Sequence, residues 1–233
     1  MRSPERAALA LGVLCLLLLI LVEGRPYFTT ASMTTRGIRD PQVAMQMVRS
    51  VQELDAILGE APSPDREVMR MKQYIDFAFI ASYAALFFVM SWALTPLTQW
   101  AWLIGIFGVF AAVHDVLENI NILYLVNTPL NAVTPQMISH LHLMSVVKWG
   151  SAAAAIATLG VFTLRSRRLY LRLIGCVDVS AAALILWGLI DNAWLVWAGL
   201  PLAAGMIANA ATLKFLVTDT AKPDIGKPDI AKS

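Results

Sequence analysis

The sequence predicts an all-α fold: an integral membrane helical bundle of six transmembrane helices, or five if the first is a cleaved signal peptide. Three observations predict it. Of 233 residues, 58% are hydrophobic and only 15% charged, whereas ordinary soluble domains carry about 25% charged residues. The mean hydropathy is +0.65. The apolar residues also fall in blocks long enough to span a bilayer, which takes about 20 residues at about 1.5 Å rise each. Lipid cannot satisfy exposed backbone groups, so such blocks must be helices, and no alternating barrel pattern is present.

The first block, residues 7–22, follows Arg2 and Arg6 and is rich in leucine. That is the layout of a signal peptide, but Val22-Glu23-Gly24 is a poor cleavage site, so 1–23 is read as an uncleaved signal anchor with cleavage as the alternative. Residues 24–73 form a polar, extracytoplasmic segment. Within it Val43, Met47, Val51, Leu54 and Leu58 recur at helical spacing, which predicts one amphipathic helix over 41–58. That helix either lies over the mouth of the bundle or docks a protein partner. Ser63-Pro64 is a cap and first residue for the helix that enters the membrane.

The bundle proper, 74–217, holds five apolar blocks at 77–94, 100–126, 141–164, 173–190 and 193–217. Pro201 in the last of these removes a backbone hydrogen bond and predicts a kink. Arg165, Arg167, Arg168 and Arg172 crowd one link, while the link 127–139 has no charge. With Arg2 and Arg6 at the start, and Lys214, Lys222, Lys227 and Lys232 at the end, six spans place every basic cluster in the cytoplasm. Both termini are then cytoplasmic in a multi-pass cell-membrane protein. Trp92, Trp100 and Tyr170 would mark the inner interface, and Tyr74, Trp187 and Trp194 the outer. Residues 218–233 carry a repeated pentamer, Lys-Pro-Asp-Ile followed by Gly226 or Ala231, and are expected to form a disordered tail.

A net charge of +2 gives no footing for nucleic acid. The lipid bilayer is the expected partner, with a homo-oligomer or a protein bound through the extracytoplasmic helix as further partners. Cys15 and Cys176 lie in apolar blocks and form no disulfide framework or zinc spacing.

Ionisable groups inside a bilayer are costly and mark either function or pairing. His114, Asp115, Glu118, Asn119 and Asn121 fall within about 160° of one helical face, at about 100° per residue. Val116, Leu117, Ile120 and Leu123 take the other side. Lys148 on the next helix lies at similar depth, in the outer half, with His140 and Ser151 on its face. Asp76 can join from above, and Asp178 is a further buried carboxylate without an evident partner. His140 and His142 point almost oppositely and cannot share a metal. No HExxH or paired Glu-x-x-His signature occurs, and Lys148 opposes a cation, so neither metal nor cofactor is expected. Nor does any elbow motif make Ser145 or Ser151 a nucleophile.

The polar set therefore predicts a buried cavity that binds or passes a proton, an ion or a small polar ligand. One alternative is a membrane-embedded enzyme that uses the carboxylates as acid and base on a lipid-like substrate. Another is a structural or assembly subunit, in which Lys148 pairs with Glu118 or Asp115 only to hold helices together. On the fourth helix Gly150, Ala154 and Thr158 form one small-residue stripe, and Ser151 and Ala155 a second. Either permits close packing, inside the bundle or between protomers.

Tyr74-Ile75-Asp76-Phe77, Asp115-Val116-Leu117-Glu118-Asn119 and Lys148-Trp149 together resemble a layout of small uncharacterised bacterial multi-helix membrane proteins that carry an Asp-x-x-Glu-Asn motif. The resemblance covers residues 74–148. It implies a bacterial inner-membrane location and brings no catalytic residues with it.

Overall fold

The computed structural model describes residues 3–24, 26–29 and 36–220. Arg2, the last three lysines and the tail repeat lie outside the described residues.

Eight α-helices account for most of the described chain: α1 Ser3–Glu23, α2 Pro41–Gln46, α3 Val51–Leu58, α4 Pro64–Leu94, α5 Trp102–Val126, α6 Pro135–Leu164, α7 Leu169–Ile190 and α8 Leu195–Thr220. Six of them, α1 and α4 to α8, are long and apolar enough to cross a membrane. The protein is an all-α, multi-pass membrane protein. Consecutive long helices pack as antiparallel neighbours, and α1 closes the bundle against α4 and α8. Leu117, Ile120 and Phe110 of α5, Leu186 of α7 and Leu200 of α8 are among the large apolar side chains left exposed, where lipid solvates them. Trp92, Trp100 and Tyr170 are exposed at one end of the bundle, and Tyr74, Trp187 and Trp194 at the other. α8 continues through Pro201 as one helix.

The single amphipathic helix expected over 41–58 is two helices. Asp40 caps α2 by accepting the Val43 N–H at 2.9 Å. Ser50 caps α3 by accepting the Glu53 N–H at 3.2 Å, and Glu53 reaches back to the Arg49 N–H at 2.7 Å. The Ser50 cap, with Glu53 holding the residue before it, restarts the helix where apolar spacing alone would carry it on. Ser63 and Pro64 begin α4 as the sequence predicts, with the Ser63 hydroxyl accepting from the Arg66 N–H at 3.3 Å.

α4 takes charged residues into the protein before it reaches the apolar block. Arg66 is buried and donates to the backbone oxygens of Gly59 (2.9 Å), Val126 (2.9 Å) and Thr128 (2.8 Å). Lys72 is buried and donates to the backbone oxygens of Val22 and Gly24. Both cations thus meet carbonyls at helix C-terminal ends, where the last turn lacks donors and carries partial negative charge.

The buried apolar residues separate into two clusters. One fills the bundle around Ile80, Tyr83, Phe87, Ile104, Ala112, Ala155 and Leu159. The other joins α2 and α3 to the nearby ends of α4 to α6, through Met45, Leu54, Ile57, Met69, Ile122, Leu125, Ile138 and Leu141. The apolar face of α2 and α3 is therefore turned onto the bundle itself. On α6, Ser151 and Ala155 are buried, whereas a side chain added at Gly150 would meet nothing within 4 Å. The stripe of Gly150 is the open one.

Candidate functional site

Each of α4, α5 and α6 passes from one apolar cluster to the other, and the polar residues lie at the crossing. On α5 the order is Ala112, then Asp115, Glu118 and Asn119, then Ile122. On α6 it is Leu141, then Ser145 and Lys148, then Ala153, and on α4 it is Met69, then Asp76, then Ile80. The outcome is a polar layer between two apolar ones. At about 1.5 Å per residue it lies roughly 12 to 20 Å from the helix ends that carry α2 and α3.

Helical spacing aims the side chains. Asp115, Glu118 and Asn119 are i, i+3 and i+4 and so share a face of α5. Asp76 and Tyr83, seven residues apart, share a face of α4. The Lys148 ammonium donates to Glu118 Oε1 at 2.6 Å and to Asp115 Oδ1 at 3.1 Å. It also lies 5.2 Å from the ring centroid of Trp149, near enough for a cation–π contact. The Tyr83 hydroxyl donates to the second oxygen of Asp115 at 2.9 Å. The Asn119 amide donates to Asp76 Oδ2 at 2.8 Å, and Asp76 lies within charge–charge reach of Asp115, Lys148 and Glu118. Glu118 is 0% exposed, Asn119 1%, and Asp115 and Lys148 6% each.

One atom of this layer is left over. Glu118 Oε2 is buried and has no hydrogen-bond partner. Ser145 lies beside Glu118 and donates its own hydroxyl hydrogen to the Leu141 carbonyl at 3.1 Å. Turned the other way, the same hydroxyl donates to the Glu118 carboxyl.

The remaining sequence candidates lie apart from the layer. The ring of His114 contacts the Phe110 carbonyl of its own helix at 2.9 Å and packs on the Phe110 ring, centroids 4.3 Å apart. Asn121 is shared between the Leu117 carbonyl and His140, whose Nδ1 is 3.1 Å from its side-chain oxygen. Asp178 is buried against α8, where Asn209 donates to it at 2.8 Å. Tyr83 and Asn209 join these sites without standing out in the apolar pattern of the sequence. A phenol two turns from Asp76, and an amide within an apolar helix, were the signals for them.

Among the described residues no group of three or more His, Cys, Asp or Glu side chains converges to hold a metal ion. A crevice of about 20 Å³ lies between α1, α4 and α8, at Cys15, Phe79 and Met206. A surface depression lies beside Pro26, Glu67, Arg70 and Tyr74. Neither touches the polar layer, whose side chains meet one another directly. Comparison with known proteins finds no family model, no curated relative and no solved structure that matches this chain.

Proposed function

We propose that this multi-pass membrane protein binds and exchanges protons at the layer formed by Asp76, Asp115, Glu118 and Lys148. The observation that carries the reading is a charge imbalance: three carboxylates, Asp115 and Glu118 buried and Asp76 half-buried, share this layer with one ammonium. A structural tie needs one acid for one base. Carboxylates left without a counter-charge in an apolar interior are strongly disfavoured, and a proton is the simplest species that relieves them. Glu118 Oε2 is the natural place of uptake. Oε2 makes no hydrogen bond in this arrangement, and the adjacent Ser145 hydroxyl can turn between donating to the carboxylate and accepting from the protonated acid. Lys148 holds the other oxygen of the same carboxyl, so a proton gained or lost is felt at once by Asp115.

The arginines at 165, 167, 168 and 172 support a cytoplasmic α6–α7 link. The polar layer then belongs to the outer half of the bilayer, beneath an extracytoplasmic cap made of α2 and α3. The motif resemblance supports a bacterial inner membrane as its location.

The test uses proteoliposomes loaded with a pH-sensitive dye and energised by a potassium diffusion potential. The expected result is dye-reported proton flux above that of protein-free vesicles, reduced by Glu118→Gln. Wild-type flux equal to that of protein-free vesicles would overturn the proposal. It would favour the structural reading, for which the direct bonds of Lys148 to both Asp115 and Glu118 are the specific support.

A further inference from the structure

Asp178 lies on α7, separate from the layer around Lys148, and no charged group of that layer acts on it. It is 0% exposed. On one side is α6, where a side-chain carbon added at Gly160 would lie 2.9 Å from Asp178 Cβ. On the other is α8, where a carbon added at Gly205 would lie 2.1 Å from Asp178 Oδ1. The carboxyl is thus pressed between two backbones, with no space at either glycine for another side chain.

Its polar partners are few. Asn209 Nδ2 donates to Asp178 Oδ2 at 2.8 Å and to the Gly205 carbonyl at 2.8 Å, which fixes which way the amide points. Two atoms then remain buried without any partner: Asp178 Oδ1 and Asn209 Oδ1. Both are acceptors, and they belong to side chains already joined by one hydrogen bond. Two such orphans are costly when each stands alone, and one hydrogen shared between them would satisfy both. The groups that face Asp178 are Gly160 of α6 and Gly205 and Asn209 of α8, and none is charged.

We infer that Asp178 is a proton-binding site: it carries a proton on Oδ1 and donates it to Asn209 Oδ1, so that acid and amide form a doubly hydrogen-bonded, neutral pair between α7 and α8. The proton comes from hydronium in the surrounding water before the helices close: one hydronium O–H bond breaks as the Asp178 O–H bond forms, and water is left. An amide at position 178 would offer the same donor and acceptor in the same shape, so the site asks for a neutral group rather than an anion. This inference does not depend on the proton exchange proposed for the Lys148 layer.

The test is infrared difference spectroscopy on the full chain in lipid at neutral pH. A protonated carboxyl shows a C=O stretch outside the amide bands, and hydrogen bonding lowers its frequency. The wild type minus Asp178→Asn spectrum is expected to contain one such band. In Asn209→Leu the band should persist at higher frequency, because the carboxyl has lost its partner. A difference spectrum without a carboxyl band would overturn the inference, and so would an unshifted band in Asn209→Leu. If Asp178→Asn does not fold, the wild type minus Asn209→Leu spectrum decides alone: a shifted carboxyl band supports the pair, and its absence overturns it.

Discussion

Gln46 and Trp149, 103 residues apart, are joined by a hydrogen bond of 2.9 Å from the indole N–H to the side-chain oxygen. The same indole ring lies against the Lys148 ammonium. One tryptophan therefore touches both the α2–α3 cap and the residue that holds the polar layer together. Trp149→Phe keeps the ring and removes the donor, at a cost of about 1 kcal/mol. Amides of α2 and α3 should then exchange with deuterium faster, while those of α7 keep their wild-type rate. Unchanged exchange in α2 and α3 would show that the apolar contacts alone hold the cap.

The charge imbalance makes the layer respond unequally to its two ends. Glu118→Gln removes one of three acids and keeps an oxygen for Lys148, so its unfolding midpoint in detergent should move little. Lys148→Met leaves three acids without a base, an error that costs roughly 3 to 5 kcal/mol when a buried pair is broken from one side. Adding Glu118→Gln to Lys148→Met should recover part of that loss. Equal losses in the two single variants would mean that a balanced pair, rather than an excess of acid, occupies the layer.

α1 is expected to remain in the mature protein. Its Cys15 contacts Ser82 at 3.1 Å, Lys72 holds the backbone at its C-terminal end, and Gly12 packs against Ala210 so closely that an added carbon would lie 2.7 Å away. Intact-mass measurement should find residues 1–24 present, and a mass that begins after Gly24 would mean cleavage. Gly12→Leu should also lower the unfolding midpoint by pushing α1 off α8.

Orientation is checked in a background with both native cysteines replaced. A cysteine at Glu60, exposed in the turn before α4, should react with an impermeant reagent on intact cells. A cysteine at Gln99, exposed in the turn before α5, should react only after lysis. The opposite pattern would place the cap in the cytoplasm and the polar layer in the inner half of the bilayer.

The six long helices were legible because a bilayer imposes their length and composition directly on the sequence. The cap was legible as apolar spacing, yet its break at Met47–Ser50 was not, because periodicity counts apolar residues and ignores the capping side chains of Ser50 and Glu53. In the polar layer, face and depth arguments brought Asp115, Glu118, Asn119 and Lys148 to one region. They failed for His114 and Asn121, which lie at the margin of the face and satisfy themselves on backbone oxygens of their own helix. Arg66 and Lys72 looked like residues of an external segment. Their partners are main-chain carbonyls of α5 and α1, which carry no residue signature.

The separation of the apolar interior into two clusters has a thermodynamic consequence. Helices that cross one continuous core melt together, whereas here α4, α5 and α6 change partners partway along their length. The cap and the adjoining turns of those helices are expected to form one cooperative unit, and the rest of the bundle another. Two heat-absorption steps are therefore expected in calorimetry. The first should abolish protection of α2 and α3 while α7 and α8 stay folded, leaving the acids of the layer beneath no more than a few loosened turns.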